Sequence, residues 1–376
     1  MTQHNTAHNK PSIIGIFGDG QLALMLAESL TKKATPFLAL LQSDNSPMER
    51  IFPASVTRDP ERFVNDCDVF TLENEFLKVE ELSRLLGKKS DKLFPEIKSY
   101  KHFGDKISQR NLYQELGLPS PRWMTVTNAT ELQNASQKFP FPFIAKASSG
   151  GYDGKGVRVI KSSQELNQVS IDFGLPLLLE EKVSLKTEVA RGFVRTKDGD
   201  ISFLPLVETL QQDGICHLVQ YPARVSEKVK AEVENALKKL SDYPLIGIFN
   251  FEFFVDENDH VTINEGAPRP HNSQHLTIDA SNVSQFELLA LALGNQPLPQ
   301  ITTKPSLMVN ILGQTQGNDI PLTLPDLPTS VKVTPKLYGK EKCAPGRKMG
   351  HVNLVDEAGT HDLKSLGEKI LREYRL

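Results

Sequence analysis

From Val261 to His275 the chain reads V-T-I-N-E-G-A-P-R-P-H-N-S-Q-H, and apolar strand residues give way within a few positions to a carboxylate, an arginine and two histidines. Upstream, Phe249 to Val255 (F-N-F-E-F-F-V) has the aromatic and β-branched make-up of a strand, and Asp256-Glu257-Asn258-Asp259 is a turn cluster, so the two runs predict a hairpin. Pairing Val255 with His260 sets Glu252 opposite Ile263. The two-residue period then puts Glu252 and Glu265 on one sheet face as diagonal neighbours, roughly 7–8 Å apart. Carboxylates this close repel and raise each other's pKa unless a cation lies between them. Mg2+ takes hard carboxylate oxygens and shares its shell with nucleotide phosphates, so the pair reads as a metal-nucleotide site. The alternative is ordinary charge on a solvated hairpin. Pro268 and Pro270 weigh against it, because they stiffen the backbone that carries Arg269 and His271.

A second candidate joins the predicted strands Phe143 to Ala147 and Val157 to Ile160, where Ser148 to Gly156 reads S-S-G-G-Y-D-G-K-G. A P-loop or a dinucleotide-binding turn leads from strand to helix, so glycines between two strands belong to neither class. Backbone without Cβ approaches phosphate closely, which predicts a cover over a nucleotide with Lys146 as a point charge. The alternative is a surface hairpin, although Tyr152 and Asp153 add specific side chains to the loop. Near the N-terminus, the apolar run Ser12 to Phe17, then Gly18-Asp19-Gly20-Gln21-Leu22, then a helix over Ala23 to Leu30, offers N–H groups to an anion. Ala23 breaks the fuller glycine pattern. Asp68 to Leu72 predicts a strand whose end carries Glu73 and Glu75; Glu73 there could hold a polar substrate group and could equally be a surface carboxylate. The cations of Tyr338 to His351 suit a phosphate or plain solvent.

The elements that position these groups are legible in outline. Strands are expected at Pro36 to Leu41, Pro176 to Leu179 (ending at Glu180-Glu181), Leu307 to Leu312 and Ser330 to Leu337. Helices are expected at Lys106 to Leu116, Val225 to Leu240 and Ser284 to Leu293, the last packed behind the hairpin. At 376 residues the chain exceeds what one core usually spans, and 39% apolar content supplies two or three domains. Lys plus Arg number 43 and Asp plus Glu 46, a net −3 with no cationic block, so no nucleic-acid or anionic-membrane partner is expected. Cys67, Cys216 and Cys343 form no CxxC pair, which suggests packing residues in a reducing compartment. The polar first ten residues and the absence of an apolar run near 18 or so residues predict a cytoplasmic protein.

With these residues located, the chain resembles the N5-carboxyaminoimidazole ribonucleotide synthetases, ATP-grasp enzymes of purine synthesis, over nearly its whole length. The stretches that carry the resemblance are G-G-Y-D-G-K-G at Gly150 to Gly156, N-E-x-A-P-R-P-H-N-S at Asn264 to Ser273, S-Q-F-E at Ser284 to Glu287, and P-G-R-K-M-G-H at Pro345 to His351. The resemblance implies an α/β ATP-grasp fold. Its parts would be a Rossmann-like N-terminal domain over residues 1–103, a linker helix and glycine-loop lid over 104–183, and a catalytic domain over 184–376 that turns β-rich from about 302. It implies ATP held by Lys106, Lys146, the lid residues Gly151, Tyr152, Asp153, Gly154, Lys155, Gly156 and Val157, by Glu180, Glu181, Lys182, Val183 and Glu188 around adenine and ribose, and by Gln211, Asn264 and Glu265. Glu252 and Glu265 match the ligands of Mg2+, for which Mn2+ could substitute. Gln21, Leu22, Glu73, Asn272, Lys340, Arg347 and Lys348, with Tyr152 and Asp153, match positions that hold 5-aminoimidazole ribonucleotide. Arg269 and His271 would face the reacting carbon, with Tyr152 and Asp153 beside them.

The implied reaction is a ligase reaction in which bicarbonate attacks the γ-phosphate, carboxyphosphate forms, and the carbon dioxide released is captured by the exocyclic amine. A homodimer is the implied assembly. Competing readings are a formate-dependent glycinamide ribonucleotide transformylase-like enzyme and a non-catalytic nucleotide-binding paralogue; Gly-Tyr-Asp-Gly-Lys-Gly and His-Asn-Ser argue against the first, Glu252, Glu265 and Arg269 against the second. The chain departs from the family pattern at Lys106 (commonly Arg), Val157 (Gln), Ala147-Ser148-Ser149 (a basic residue), Ala23 (Gly), Gly266 (aliphatic) and Gln274 (Gly).

Overall fold

Short apolar runs alternating with helices build the N-terminal part. In the computed structural model, which describes residues 12–75, 77–149, 156–318 and 322–376, β1 (Ile14–Phe17), β2 (Phe37–Leu40), β3 (Val56–Thr57), β4 (Val69–Leu72) and β5 (Leu93–Phe94) form a parallel sheet ordered β3-β2-β1-β4-β5. Strand order reverses between β1 and β4, and the crevice at their carboxyl ends is where such sheets take ligands. Helices α1 (Gln21–Lys32), α2 (Pro47–Ile51), α3 (Pro60–Asp66) and α4 (Val79–Leu86) connect the strands, and α5 (Ile97–Phe103) leads out of the sheet.

The linker helix α6 (Lys106–Glu115) is capped by Asp105, whose carboxylate accepts the Ser108 N–H at 2.7 Å, and it ends at Gly117 with φ +60°, the stop expected from Gly-Leu-Pro. Beyond it, β6 (Trp123–Val126), β7 (Phe143–Ala147), β8 (Val157–Ile160) and β9 (Leu177–Glu181) make an antiparallel sheet ordered β6-β9-β7-β8, backed by α7 (Ala129–Lys138) and α8 (Ser163–Phe173). The Ala147 N–H donates to Gly156 O at 2.8 Å at the base of the glycine loop. Gly151, Tyr152, Asp153, Gly154 and Lys155 lie outside the described residues.

A nine-stranded sheet follows. It comprises β10 (Leu185–Arg195), β11 (Ile201–Phe203), β12 (Val207–Gln212), β13 (Ile215–Tyr221), β14 (Gly247–Asp256), β15 (Val261–Ala267), β16 (Ser306–Leu312), β18 (Lys332–Leu337) and β20 (Lys348–Val355). The order is β15-β14-β10-β12-β13-β16-β20-β18, with β11 beside β10. A separate ribbon pairs β17 (Gly317–Asn318) with β19 (Lys342–Cys343). The strands beyond residue 302 thus continue the same sheet, while Leu307, Val309, Val352, Leu354 and Ile370 of α12 (Leu363–Glu373) form a core of their own.

Helix α9 (Glu227–Asp242) buries Val229, Val233, Leu237 and Leu240 against Phe249, Phe251 and Phe253 of β14, each such side chain contributing about 1.5–3 kcal/mol. After α10 (Thr277–Ala280), α11 (Gln285–Leu293) starts at a capping box between Ser284 and Glu287. Phe286, Leu289 and Leu293 share one core with Leu22, Leu26 and Leu30 of α1. That shared core ties the parallel sheet to the large sheet and brings the end of β4 beside β15. All three cysteines are buried and free, and no helix among the described residues is long and apolar enough to cross a membrane.

Candidate active site

In the β14/β15 hairpin Val255 pairs with Val261 and Phe253 with Ile263, one residue away from the register expected from the turn. The register then shifts so that Glu252 stands directly opposite Glu265, leaving Asn264 as an inserted residue. Without this bulge Glu252 would face Asn264 and Glu265 would turn to the other side of the sheet. The diagonal arrangement is thereby corrected to a direct cross-strand pair, with Cβ atoms about 4.5–5.5 Å apart, a spacing at which like charges destabilise. Glu188 of β10 joins the same face, diagonal to Glu252 across the small Ala190.

Side chains distant in sequence hold the bulge. The buried Gln109 amide donates to Gly266 O (3.1 Å) and Phe103 O (3.1 Å) and accepts from the Gly266 N–H (2.9 Å) and the Tyr113 hydroxyl (3.0 Å). Because β15 is the sheet edge, Gln109 supplies there the hydrogen bonds a neighbouring strand would. Leaving such buried groups unmet costs about 1–3 kcal/mol each. A Cβ on Gly266 would stand 2.7 Å from the Phe103 ring and 2.9 Å from Phe251, which accounts for glycine at this position. At the other end, Gln285 accepts the His271 N–H at 2.8 Å and donates to His271 O at 2.9 Å, and Asn250 donates to Arg269 O at 2.9 Å. The segment from Gly266 to His271 is suspended between two glutamine side chains.

Charges around it are interlocked. Lys106 Nζ lies 2.8 Å from Glu265 Oε2, and its charge holds the Glu265 carboxyl well below the usual range. Burial, with Glu265 and Glu188 adding to it, pushes Glu252 up to about 8. Burial and the Glu265 charge push Glu188 up to about 7. Lys146 Nζ is 2.7 Å from Glu180 Oε2 and 3.0 Å from Asn264 Oδ1, while Arg110 reaches Glu180 at 2.5 Å and Asn264 O at 2.6 Å. Burial raises the Glu180 carboxyl, but Lys146 and Arg110 outweigh it and hold it low. His271 is driven down to about 3 by burial and then by Arg269 and Lys348, so it is neutral. Its approach to Glu252 at 3.6 Å is therefore not an ion pair; its Nδ1 lies 2.8 Å from Ser273 Oγ.

The carboxylate surplus suits a hard divalent ion. Among the described residues no three His, Cys, Asp or Glu side chains gather as a metal site, so Glu252 and Glu265 would supply two ligands and leave the others to phosphate oxygens and water.

The remaining sites proposed from sequence lie on several separate elements. Glu73 accepts the N–H groups of Gly20 (2.7 Å) and Leu22 (3.2 Å), so the anion on the Gly-x-Gly turn is this chain's own carboxylate. A Cβ on Gly18 or Gly20 would meet that carboxylate at 2.5 or 2.3 Å. Gln21 opens α1 beside it. In the basic loop, Lys340 Nζ donates to Lys348 O at 2.6 Å and lies 5.5 Å from the Tyr338 ring centroid, and the exposed Arg347 donates to Lys342 O at 2.6 Å. The Asn272 and Asn310 amides pair reciprocally at 2.9 and 2.7 Å. Glu181 accepts the Arg122 N–H (2.9 Å) and Nε (2.7 Å). Lys182 and Val183 bridge β9 to β10, Gln211 sits past a bulge in β12, and Val157 is exposed at the start of β8.

An N5-carboxyaminoimidazole ribonucleotide synthase of Synechococcus elongatus is 33% identical over 357 residues, covering 91% of this chain and 89% of that protein. The chain belongs to the N5-carboxyaminoimidazole ribonucleotide synthase family. A model of the ATP-grasp domain matches residues 111–286, and one of the phosphoribosylaminoimidazole carboxylase C-terminal domain matches 306–363. A Candida glabrata phosphoribosylaminoimidazole carboxylase is 34% identical, and the match covers 91% of this chain and 63% of that longer protein. The Aspergillus clavatus N5-carboxyaminoimidazole synthase, solved with ADP and 5-aminoimidazole ribonucleotide, superposes with TM-score 0.81 at 26% identity, covering 96% of this chain and 98% of that one.

Within this synthase framework, sequence reading missed Gln109, Arg110, Asn250 and the Glu75 partnership with Arg269, and it noted Gln285 only as part of a motif. These residues contact the site from elements far away in sequence, so no local spacing announces them. Their one shared signal is polar side chains on apolar faces: Gln109 and Arg110 are buried on α6 and Gln285 on α11.

Proposed function

We propose that this chain uses ATP and bicarbonate to carboxylate the exocyclic amine of 5-aminoimidazole ribonucleotide, giving the N5-carboxyamino product of the synthase family. The observation that carries the reading is the Glu252–Glu265 pair, brought face to face by the bulge and flanked by Lys106, Lys146 and Arg269. A bicarbonate oxygen attacks the γ-phosphorus as the bond to ADP breaks, and the ADP oxygen leaves with the electron pair. The carboxyphosphate so formed splits into carbon dioxide and phosphate. The amine nitrogen then bonds to the carbon and gives up a proton.

Glu252 and Glu265, with Glu188 near, would hold Mg2+, which would supply positive charge against the phosphate oxygens. Lys106 from α6 and Lys146 from β7 add positive charge beside the hairpin, and Arg269 presents N–H donors to the carboxyl oxygens. Neutral His271, its backbone held by Gln285 and its ring Nδ1 2.8 Å from Ser273 Oγ, stands beside Glu252 and offers a hydrogen bond to the reacting groups without adding charge. A cytoplasmic homodimer acting on small molecules, without nucleic-acid or membrane partners, completes the reading.

Lys340, Arg347 and Lys348 take the ribonucleotide 5′-phosphate. Arg347→Ala removes a charge-assisted fork from an exposed position whose one other side-chain hydrogen bond among the described residues is to Lys342 O, so the KM for ribonucleotide should rise about tenfold while the KM for ATP stays within about twofold. Steady-state kinetics with each substrate varied in turn tests this. A rise in the ATP KM instead would assign the loop to the nucleotide.

A further inference from the structure

Arg269 is not alone at the strand end. Its Nε and Nη2 lie 2.5 and 3.0 Å from Glu75 Oε2 and Oε1, a two-point contact on the inner edge of the guanidinium, and Nη1 donates to Pro270 O at 3.3 Å. A guanidinium carries five N–H bonds. Three are thereby used, and one on Nη1 and one on Nη2 remain. Glu75 is itself held in place. Two residues earlier in the chain, Glu73 is pinned by Gly20 and Leu22 at the start of α1, and the Glu73 N–H donates to Phe17 O at 2.9 Å. The backbone of Arg269 is fixed independently by Asn250.

We propose that Glu75 is a positioning residue for Arg269, taking the Nε/Nη2 edge of the guanidinium so that the Nη1/Nη2 edge faces the anionic carboxyl oxygens of the reacting intermediate. This rests on the role given to Arg269 above. The contact uses the parallel sheet to aim a side chain of the large sheet, so the two parts of the molecule build one anion clamp between them. It also keeps Arg269 off Glu265: both Glu265 and Glu73 act electrostatically on the guanidinium, and a fork released from Glu75 would turn toward the proposed metal carboxylates. Two parallel charge-assisted bonds fix the plane of the fork, which a single contact does not.

The test is Glu75→Gln in the full chain, with Glu75→Asp, Arg269→Lys and the Glu75→Gln/Arg269→Lys double variant measured alongside. Glutamine keeps the shape but offers one acceptor to two donors and no charge. We expect kcat to fall about fivefold or more, with the KM for ATP and for ribonucleotide within about twofold and ADP affinity by calorimetry unchanged. A merely structural role would move nucleotide binding and the thermal midpoint along with kcat. Aspartate keeps the charge and should recover part of the loss. The double variant should be no slower than Arg269→Lys alone, since the two residues act as one unit. A Glu75→Gln enzyme within about twofold of wild-type kcat, while Arg269→Lys is slow, overturns the proposal and leaves the role of Arg269 standing; so do losses that multiply in the double variant. If Arg269→Lys turns over like wild type, the clamp itself is wrong and the role of Glu75 falls with it.

Discussion

Glu265→Gln is expected to abolish ATP turnover, with a loss of well over about tenfold, because one carboxylate cannot replace two as ligands of the metal ion the pair would hold. The substitution is nearly isosteric and Lys106 can still donate to the amide oxygen, so the fold should persist. Its electrostatic consequence is specific. Glu265 helps to hold Glu252 up near 8 and Glu188 near 7, and both should ionise at lower pH once that charge is gone. In the wild type these raised pKa values mean that, without a cation, stability present below the ordinary glutamate range is lost as pH rises toward about 7 to 8. Binding of Mg2+ with nucleotide should release protons in that window, and less so in the variant. Turnover within about twofold of wild type at saturating Mg2+ would remove the metal assignment.

Arg269→Lys should bind ATP nearly normally yet turn over at least about tenfold more slowly, a barrier change above about 1.4 kcal/mol. An ammonium is a single point of charge. It can satisfy Glu75 or meet the intermediate, but it lacks the second edge that lets the guanidinium do both. Pro268, Pro270 and the bond from Asn250 to Arg269 O at 2.9 Å leave the backbone little freedom to compensate. Calorimetry with ATP is the deciding control. If nucleotide affinity collapses together with turnover, Arg269 belongs to nucleotide binding or to the fold, and the catalytic role is wrong.

Local patterns in the sequence locate the elements whose signals lie in neighbouring residues, while the central strands β10 to β13 and β20 of the large sheet carry no such signal and went unread. Phe143–Ala147 and Val157–Ile160 fall at both predicted ends, and α11 begins at the Ser284 cap. The hairpin register was off by one because Asp256 to Asp259 permits loops of more than one length. Closure comes from the Asp256 N–H on His260 O at 3.0 Å, with Asp259 at φ +58°. The bulge at Asn264 has no local signature at all. It is held by Gln109 and Arg110, more than 150 residues earlier, and only the folded chain brings them together. The same holds for the anion at the Gly18-Asp19-Gly20 turn: the glycines announce a carboxylate or phosphate but do not say that it is Glu73. Lys146 stands out beside the glycine loop and Glu180 through the family resemblance, but the Arg110 that pairs with Glu180 alongside Lys146 lies on a different element.

The most direct test of carboxylation through carboxyphosphate is ADP formation with 5-aminoimidazole ribonucleotide and oxygen-18 bicarbonate, followed by mass analysis of the phosphate released. The bridging oxygen comes from bicarbonate and stays on phosphorus when carbon dioxide departs. ADP should therefore form only with bicarbonate present, each phosphate carrying one labelled oxygen. Unlabelled phosphate, or faster ADP formation with glycinamide ribonucleotide and formate, would contradict it.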